Sequence, residues 1–369
     1  MIQPSLYSII VLESLCLLIL VFNYKYMISD RPFKNKNYFF SFCFLTIFAV
    51  FFCYGWDYFG YWRTYNTLQG GIYLWYEDYE DWCYLLMSVL PGNYYVWRLV
   101  VWGGAALITV WALKRLHVDS TFALVLFIMM PLIQMFYVSR NTLGLSFLML
   151  AMAYLGGTQK KNLWTFFVVL VLVLVSTRFH KSMPLYILVF LMSVFIPYNR
   201  VFVIGSLILF PFLYLGIRYY GSLFLNLDVL EDTATYTAGI SYLYREDETG
   251  LTTIGVITYI IERIPIAFLL IYGTYQIAFK KLKCEKWQKY FLMYSFILIY
   301  ISYLFYGQAS KFLHPRFWCA AQYPLCFFAA GFLSDKRNSG VMRFFYYTLM
   351  MSFLYTVIYK VYSWSNYVV

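Results

Sequence analysis

Residues 5–23 read SLYSIIVLESLCLLILVFN, and residues 24–36 read YKYMISDRPFKNK. A helix crossing the hydrocarbon layer needs roughly 20 largely apolar residues, within about 17 to 25. The first stretch meets that requirement. No positive charge precedes it, whereas Lys25, Arg31, Lys34 and Lys36 follow it. A cleavable signal has the opposite order, with a basic segment ahead of its apolar run. The helix is therefore expected to be retained, with its start outside and its end in the cytoplasm.

Working outward from this helix, eleven further apolar stretches follow, near residues 38–54, 93–113, 120–137, 140–156, 162–178, 182–197, 200–217, 252–278, 290–306, 316–333 and 341–359. The expected fold is all-α: a polytopic membrane protein of about twelve spans, with both termini outside and one transmembrane domain over residues 1–369. Composition agrees. The chain is 62% hydrophobic and 23% aromatic but only 12% charged, and its mean hydropathy is +0.66. A soluble domain is about 25% charged, so there are too few polar residues here to cover a water-facing surface. The net charge of +11 does not indicate nucleic acid, because its basic residues lie between apolar runs and not on one soluble face. Seven cysteines with no CxxC pair give neither a disulfide framework nor a zinc site.

Lys and Arg collect in short cytoplasmic loops. Threading the chain from an outer start places 17 of the 28 basic residues in the loops that should be cytoplasmic. Of the 17 acids, 11 fall instead in two longer outer loops, residues 55–92 and 218–251. Missing one helix would invert every later loop, yet the alternation persists to the end. Both long loops are rich in Tyr and Trp, and each is expected to carry an interfacial amphipathic helix. Loops of this length are usually functional when ordered, so the outer face is the working face.

The informative charges are the basic residues left at outer positions. Arg263 lies beside Glu262, about a dozen residues into the ninth span, with Pro265 just beyond. Successive helix residues point about 100° apart, so the two are expected not to face one another and to pair with other helices; a salt bridge and a substrate role both stay open. Arg140 opens the fifth span, Arg178 shares an outer turn with His180 and Lys181, and Arg316 follows Lys311 and His314 at a third turn. Each alone suits an arginine snorkelling to the interface. Three arginine-bearing outer turns suit an anion, since the planar guanidinium binds phosphate through two parallel hydrogen bonds.

Asp57, in GWDYFGY (55–61), and Glu80, in YEDWCY (79–84), place carboxylates among aromatic rings. Carboxylates accept hydroxyl protons and aromatic faces pack on sugar rings, so Asp57, Glu80, Tyr58 and Tyr61 are candidates for glycan contact. Histidine is the commonest general base near neutral pH, and of the three histidines His180 and His314 are outer while His117 is cytoplasmic. No HExxH, GxSxG, P-loop or GxGxxG is present, nor any metal-ligand spacing; no protein-held metal and no cofactor is expected.

These residues, in this order, resemble the EpsG-type branch of the Wzy-like bacterial polysaccharide polymerases. The shared elements are Gly55 to Tyr61, Glu80 to Leu86, the helix opening at Arg140-Asn141-Thr142-Leu143-Gly144, Phe179-His180-Lys181-Ser182, and Lys311 to Phe317. Asn141 stands where such proteins commonly carry Gln. The resemblance implies a glycosyltransferase in the bacterial cytoplasmic (inner) membrane, making O-antigen, capsule or exopolysaccharide. It would move a growing chain from undecaprenyl pyrophosphate to another lipid-linked repeat unit on the outer face. A chain-length regulator and a flippase are the protein partners it implies. That chemistry asks for cations at the departing pyrophosphate and a base for the acceptor hydroxyl. Arg140, Arg178, Arg263 and Arg316 answer the first requirement, and His180, Asp57 or Glu80 the second. Two rivals stay open: a polyprenyl-phosphate-dependent transferase adding single sugars, and a lipid-linked oligosaccharide flippase.

Overall fold

A computed structural model describes residues 4–27, 43–44, 46–48, 50–51, 58–70, 81–90, 92–118, 139–157, 162–180, 182–225, 253–306, 313–333 and 339–368. Among these residues every regular element is helical. In chain order they are α1 (Pro4–Met27), α2 (Tyr58–Gln69), α3 (Asp81–Val89), α4 (Tyr94–Arg115), α5 (Ser139–Gly157), α6 (Leu163–Ser176), α7 (Met183–Phe195), α8 (Arg200–Leu225), α9 (Thr253–Thr274), α10 (Lys286–Leu304), α11 (Leu313–Leu333) and α12 (Ser339–Val368). A π-helical turn, Tyr275–Phe279, continues α9. The span expected at 120–137, much of that at 38–54, and the second outer loop from residue 226 to 251 lie outside the described residues. Two differences are visible. The eighth helix runs on to Leu225, and the first outer loop holds two short helices, α2 and α3, where one was expected.

Helix starts follow local chemistry. Asn93 accepts hydrogen bonds from the backbone N–H groups of Tyr95 (3.0 Å) and Val96 (3.3 Å) to open α4. Asn162 accepts from Thr165 (2.9 Å) to open α6, and Glu285 and Gln288 form a capping box at α10. Each cap satisfies backbone donors that a helix end leaves without a partner.

Among the described residues, four helical stretches are long and apolar enough to cross a membrane by length and composition: Tyr94–Arg115, Arg200–Tyr219, Ile260–Phe279 and Gly340–Tyr359. α8 shows why such a chain belongs in a bilayer. It packs on α10 and the π turn, while Val201, Ile204, Ile208 and Phe212 stand exposed. Water would not tolerate that surface, and lipid solvates it.

The interior centres on a close pair, α10 and α11, with α5 and α7 packed on α10 and α4 and α6 on α5; α12 bridges α1 and α9. Buried tyrosines tie these helices together. The Tyr323 hydroxyl of α11 bonds Ser146 of α5 at 2.8 Å and also Thr109 of α4. Tyr294 of α10 donates to the Tyr186 carbonyl of α7 at 3.1 Å, Tyr198 meets Thr274 at 2.6 Å, and Tyr346 donates to the Leu20 carbonyl.

One end of the bundle is fixed by Trp287. A methyl added at Gly331 would lie 2.0 Å from its ring atom Cη2, and one added at Gly156 would lie 2.4 Å from its Cβ. The Trp287 side chain therefore sits between the last turns of α5 and α11, at the first turn of α10. A methyl at Gly157 would lie 2.8 Å from the Arg115 carbonyl, which brings the end of α4 to the same level. Lys114, Arg115, Lys286 and Lys289 emerge here, at the end expected to be cytoplasmic. Gly331→Ala should lower stability by about 1–3 kcal/mol, read as the unfolding midpoint in detergent, and Trp287→Leu in the same chain should restore part of the loss. An unchanged midpoint for Gly331→Ala alone would mean that this close approach does not exist.

Candidate functional site

The opposite end carries the predicted residues. It is built first by the shortness of α6. That helix has 14 residues, so at 1.5 Å per residue it rises about 21 Å, less than the roughly 30 Å hydrocarbon thickness. Its start follows the basic pair Lys160 and Lys161; with that pair at one membrane surface, as expected from loop charge, its far end would stop short of the other.

Phe179 anchors that turn. Its ring stacks on Phe147 of α5 at 5.5 Å and meets Trp82 of α3 edge-on at 5.8 Å, while the Cys83 thiol donates to its carbonyl at 3.8 Å. With Phe179 held, His180 is tucked inward and only 7% exposed. Its Nδ1 accepts from the backbone N–H of Ser182 at 3.0 Å and lies 2.7 Å from the Ser182 hydroxyl. That hydroxyl also donates to Asn141 Oδ1 at 3.3 Å. Ser182 is thus a hub joining the start of α5, the turn and α7. Met183 packs against Gly144, where an added methyl would lie 2.8 Å from its sulfur; a side chain at residue 144 would push α5 and α7 apart.

The first turns of α11 connect this hub to a second cluster. Phe317, next to Arg316 in the chain, meets the Tyr186 ring at 5.8 Å. On the other side of α11, His314 and Trp318 lie one turn apart and share a face. His314 Nδ1 is 2.7 Å from Ser302 Oγ and 3.1 Å from the Ser302 carbonyl, and Ser302 Oγ donates to the His314 carbonyl at 2.8 Å. The rings of Tyr303 and Tyr306 stand edge-on to His314 at 5.2 and 5.0 Å. Arg263 reaches this cluster from α9, its Cζ 5.0 Å from the Trp318 ring centre.

The structure therefore places Arg263 against Trp318 of α11 and Arg316 in the first turn of α11, with Arg178 exposed on the turn of His180 that leads to α7. Arg140 adjoins Asn141 at the start of α5; its side chain and that of Tyr58, at the start of α2, lie outside the described residues, as do Asp57 and Glu80. Tyr61 is 5% exposed, its ring 5.4 Å from Trp97, packing α2 on α4. The expectation that Glu262 and Arg263 do not meet is corrected: Glu262 Oε2 lies 3.9 Å from Arg263 Nη1, because both long side chains bend toward one another. From another helix, the Trp318 ring of α11 lies against its guanidinium. Sequence reading missed Ser182 as the hub, and it missed Ser302, Tyr303, Tyr306 and Trp318. Their signal is weak because they are ordinary residues of apolar helices. It also passed over Glu13, which is 4% exposed on α1. Among the described residues, no group of three His, Cys, Asp or Glu is placed to hold a metal ion.

The fold and this end define a helical membrane protein whose polar machinery is gathered at one end of the bundle. The chain belongs to the EpsG family, whose model matches residues 9–369. That family is associated with exopolysaccharide biosynthesis and glycosyltransferase-like function. No curated protein and no solved structure matches the chain.

A cation over an indole face contributes roughly 0.5–2 kcal/mol, more when water is excluded. A double-mutant cycle between Arg263→Gln and Trp318→Leu, read from unfolding in mixed micelles, should give a coupling energy of that size. A coupling near zero would mean that Trp318 does not hold Arg263.

Proposed function

We propose that the chain is a repeat-unit polymerase of about twelve spans, with both termini outside. It takes a glycan from undecaprenyl pyrophosphate and joins it to a second lipid-linked unit on the outer face of the bacterial cytoplasmic membrane. The observation that carries this reading is the grouping of Arg178, Arg263 and Arg316 with His180 at the end of the bundle opposite the basic loops. Charge left below a membrane surface costs about 2.5–3.5 kcal/mol per residue at the span centre, so three arginines at that end need a reason. A diphosphate leaving group supplies one: its negative charge grows as the glycosidic bond breaks, and fixed cations stabilise that growth without reorganising. Arg140, at the head of α5 beside Asn141, is the fourth arginine this reading calls on.

The family supports polysaccharide synthesis, and the polar end supports transfer over transport. Transporter sites lie near the midplane between repeated halves, whereas the hub here is at helix ends. A single-sugar transferase uses the same parts, and its product separates it: one added sugar instead of a ladder. A chain-length regulator and a flippase are the protein partners this reading carries.

Purified protein in liposomes, supplied with a lipid-linked oligosaccharide, should build a ladder of repeats. Arg316→Gln or Arg263→Gln should reduce its rate by about 10²–10³-fold, the scale of losing one transition-state donor, and Arg→Lys should recover part of it. Ladders undiminished in every arginine variant would defeat the assignment, and transport without bond formation would favour the flippase.

A further inference from the structure

The helix α9 presents two unlike faces. Ile257, Ile260, Ile264 and Ile271 are all exposed, and at about 100° per residue they fall within a stripe of roughly 60°, as side chains turned to lipid do. Glu262 lies about 170° from the middle of that stripe. It shares the opposite face with Ile266 and Leu269, one and two turns further on, and both of those are buried. That face therefore looks into the bundle. Yet the Glu262 side chain is 35% exposed. A side chain that points inward and still meets open space lines a cleft between helices, floored here by the buried residues below it.

Charge facing lipid is costly, and an ionisable residue inside a span faces the bundle interior or a water-filled cavity. Glu262 answers to the second description. Its Oε2 lies 3.9 Å from Arg263 Nη1, too far for a hydrogen bond, so Arg263 does not use up its capacity to accept. Arg263 is itself set against Trp318, 5.0 Å from the ring centre, with its guanidinium beside the carboxylate. Pro265 adds a second acceptor at this level of α9. It has no N–H, so the carbonyl of Ile261, one turn earlier, loses its helical donor. A carboxylate and a carbonyl only accept hydrogen bonds, so a molecule that enters beside them must bring donors, and a sugar brings hydroxyls.

Resting on the polymerase reading, we infer that Glu262 is the general base of the transfer, in a water-filled cleft on the inner face of α9 that receives the acceptor sugar. The base is then a residue other than His180, Asp57 and Glu80. In the reaction the acceptor O–H breaks and its proton passes to the Glu262 carboxylate. The acceptor oxygen bonds to the anomeric carbon as that carbon's bond to the pyrophosphate oxygen breaks, and the bonding pair leaves with the pyrophosphate. Arg263 stays on the diphosphate, where that reading sets it. The protonated Glu262 returns its proton to water. Two residues adjacent in the chain thereby serve the bond that forms and the bond that breaks at one carbon.

The cleft is tested without any substitution. The full chain in nanodiscs is treated either with a water-soluble carbodiimide and glycine amide or with lipid-soluble dicyclohexylcarbodiimide, and the modified carboxylates are located by peptide mass spectrometry. The water-soluble reagent should modify Glu262 and leave Glu13, buried on α1, unmodified. Modification of Glu262 by the lipid-soluble reagent alone, or by neither, overturns the cleft whatever the protein synthesises. Steady-state kinetics with donor and acceptor varied separately test the role. Gln keeps the shape of the side chain but takes no proton, so Glu262→Gln should lower kcat by about 10²–10⁴-fold, the scale of general-base catalysis, with the donor KM little changed. Formate added to Glu262→Ala should restore part of the rate, and chloride at the same concentration should not. A raised donor KM with kcat unchanged would make Glu262 a support for Arg263 and overturn the base, as would full activity in Glu262→Gln. Absence of any ladder with the unaltered chain would defeat the polymerase reading, while the carbodiimide labelling would still decide the cleft.

Discussion

A polar group buried away from water must find a partner, and within a bilayer no solvent is present to supply one. In this chain tyrosine hydroxyls meet that constraint by reaching across helix boundaries. Tyr323 closes α11 onto α5 and α4, Tyr294 closes α10 onto α7, and Tyr346 closes α12 onto α1. Apolar contact alone gives no preference between protein and lipid. Directional bonds of this kind set the register of one helix against the next. Register in turn fixes which helix ends come level, and the site is built from helix ends.

The two ends are built by different means. At the basic end small residues admit a large one: Gly156 and Gly331 leave room for Trp287, and the charges around it are exposed lysines and Arg115, which lies over the Tyr154 ring. At the other end the packing is looser and polar. Ser182 and Ser302 each bond a histidine within a turn or across one, and arginines lie against aromatic rings or at exposed turns. Serine hydroxyls donate or accept as required, so the same residue type serves in both places. The backbone group beside each ring differs: an N–H at His180 and a carbonyl at His314.

For a lipid-linked substrate this division is sensible in physical terms. The diphosphate cannot leave the interface, because its lipid holds it there, so its partners must lie just below the outer surface. A six-residue turn carried by a short helix achieves that depth. Aromatic residues beside it give the sugar a face that tolerates both lipid headgroups and water. The chemistry needs little more than fixed charge and a proton acceptor, which accounts for a site made from common residues without a compact motif.

Much of this was legible in the sequence. Apolar stretches near 93–113, 162–178, 200–217 and 341–359 each correspond to a helix, because span length and hydropathy are set by bilayer thickness. The outer turn carrying His180 was readable because charge is avoided where it sits. Other features depend on distant residues and could not be read. Ser302 and His314 are twelve positions apart, and only the antiparallel return of α11 along α10 brings them together. Arg263 was expected to pair with another helix, and that the ring it meets there is Trp318 is selected only by packing of α9 beside α11. Tyr61 looked like a sugar platform and is instead buried on Trp97. The sequence alone determined that this is a many-helix membrane protein with its unusual charges on one side, since hydropathy and loop charge are local properties. Tertiary structure decided which of those charges meet and which groups each histidine bonds, since hydrogen-bond partners are set by the packing of helices far apart in the chain.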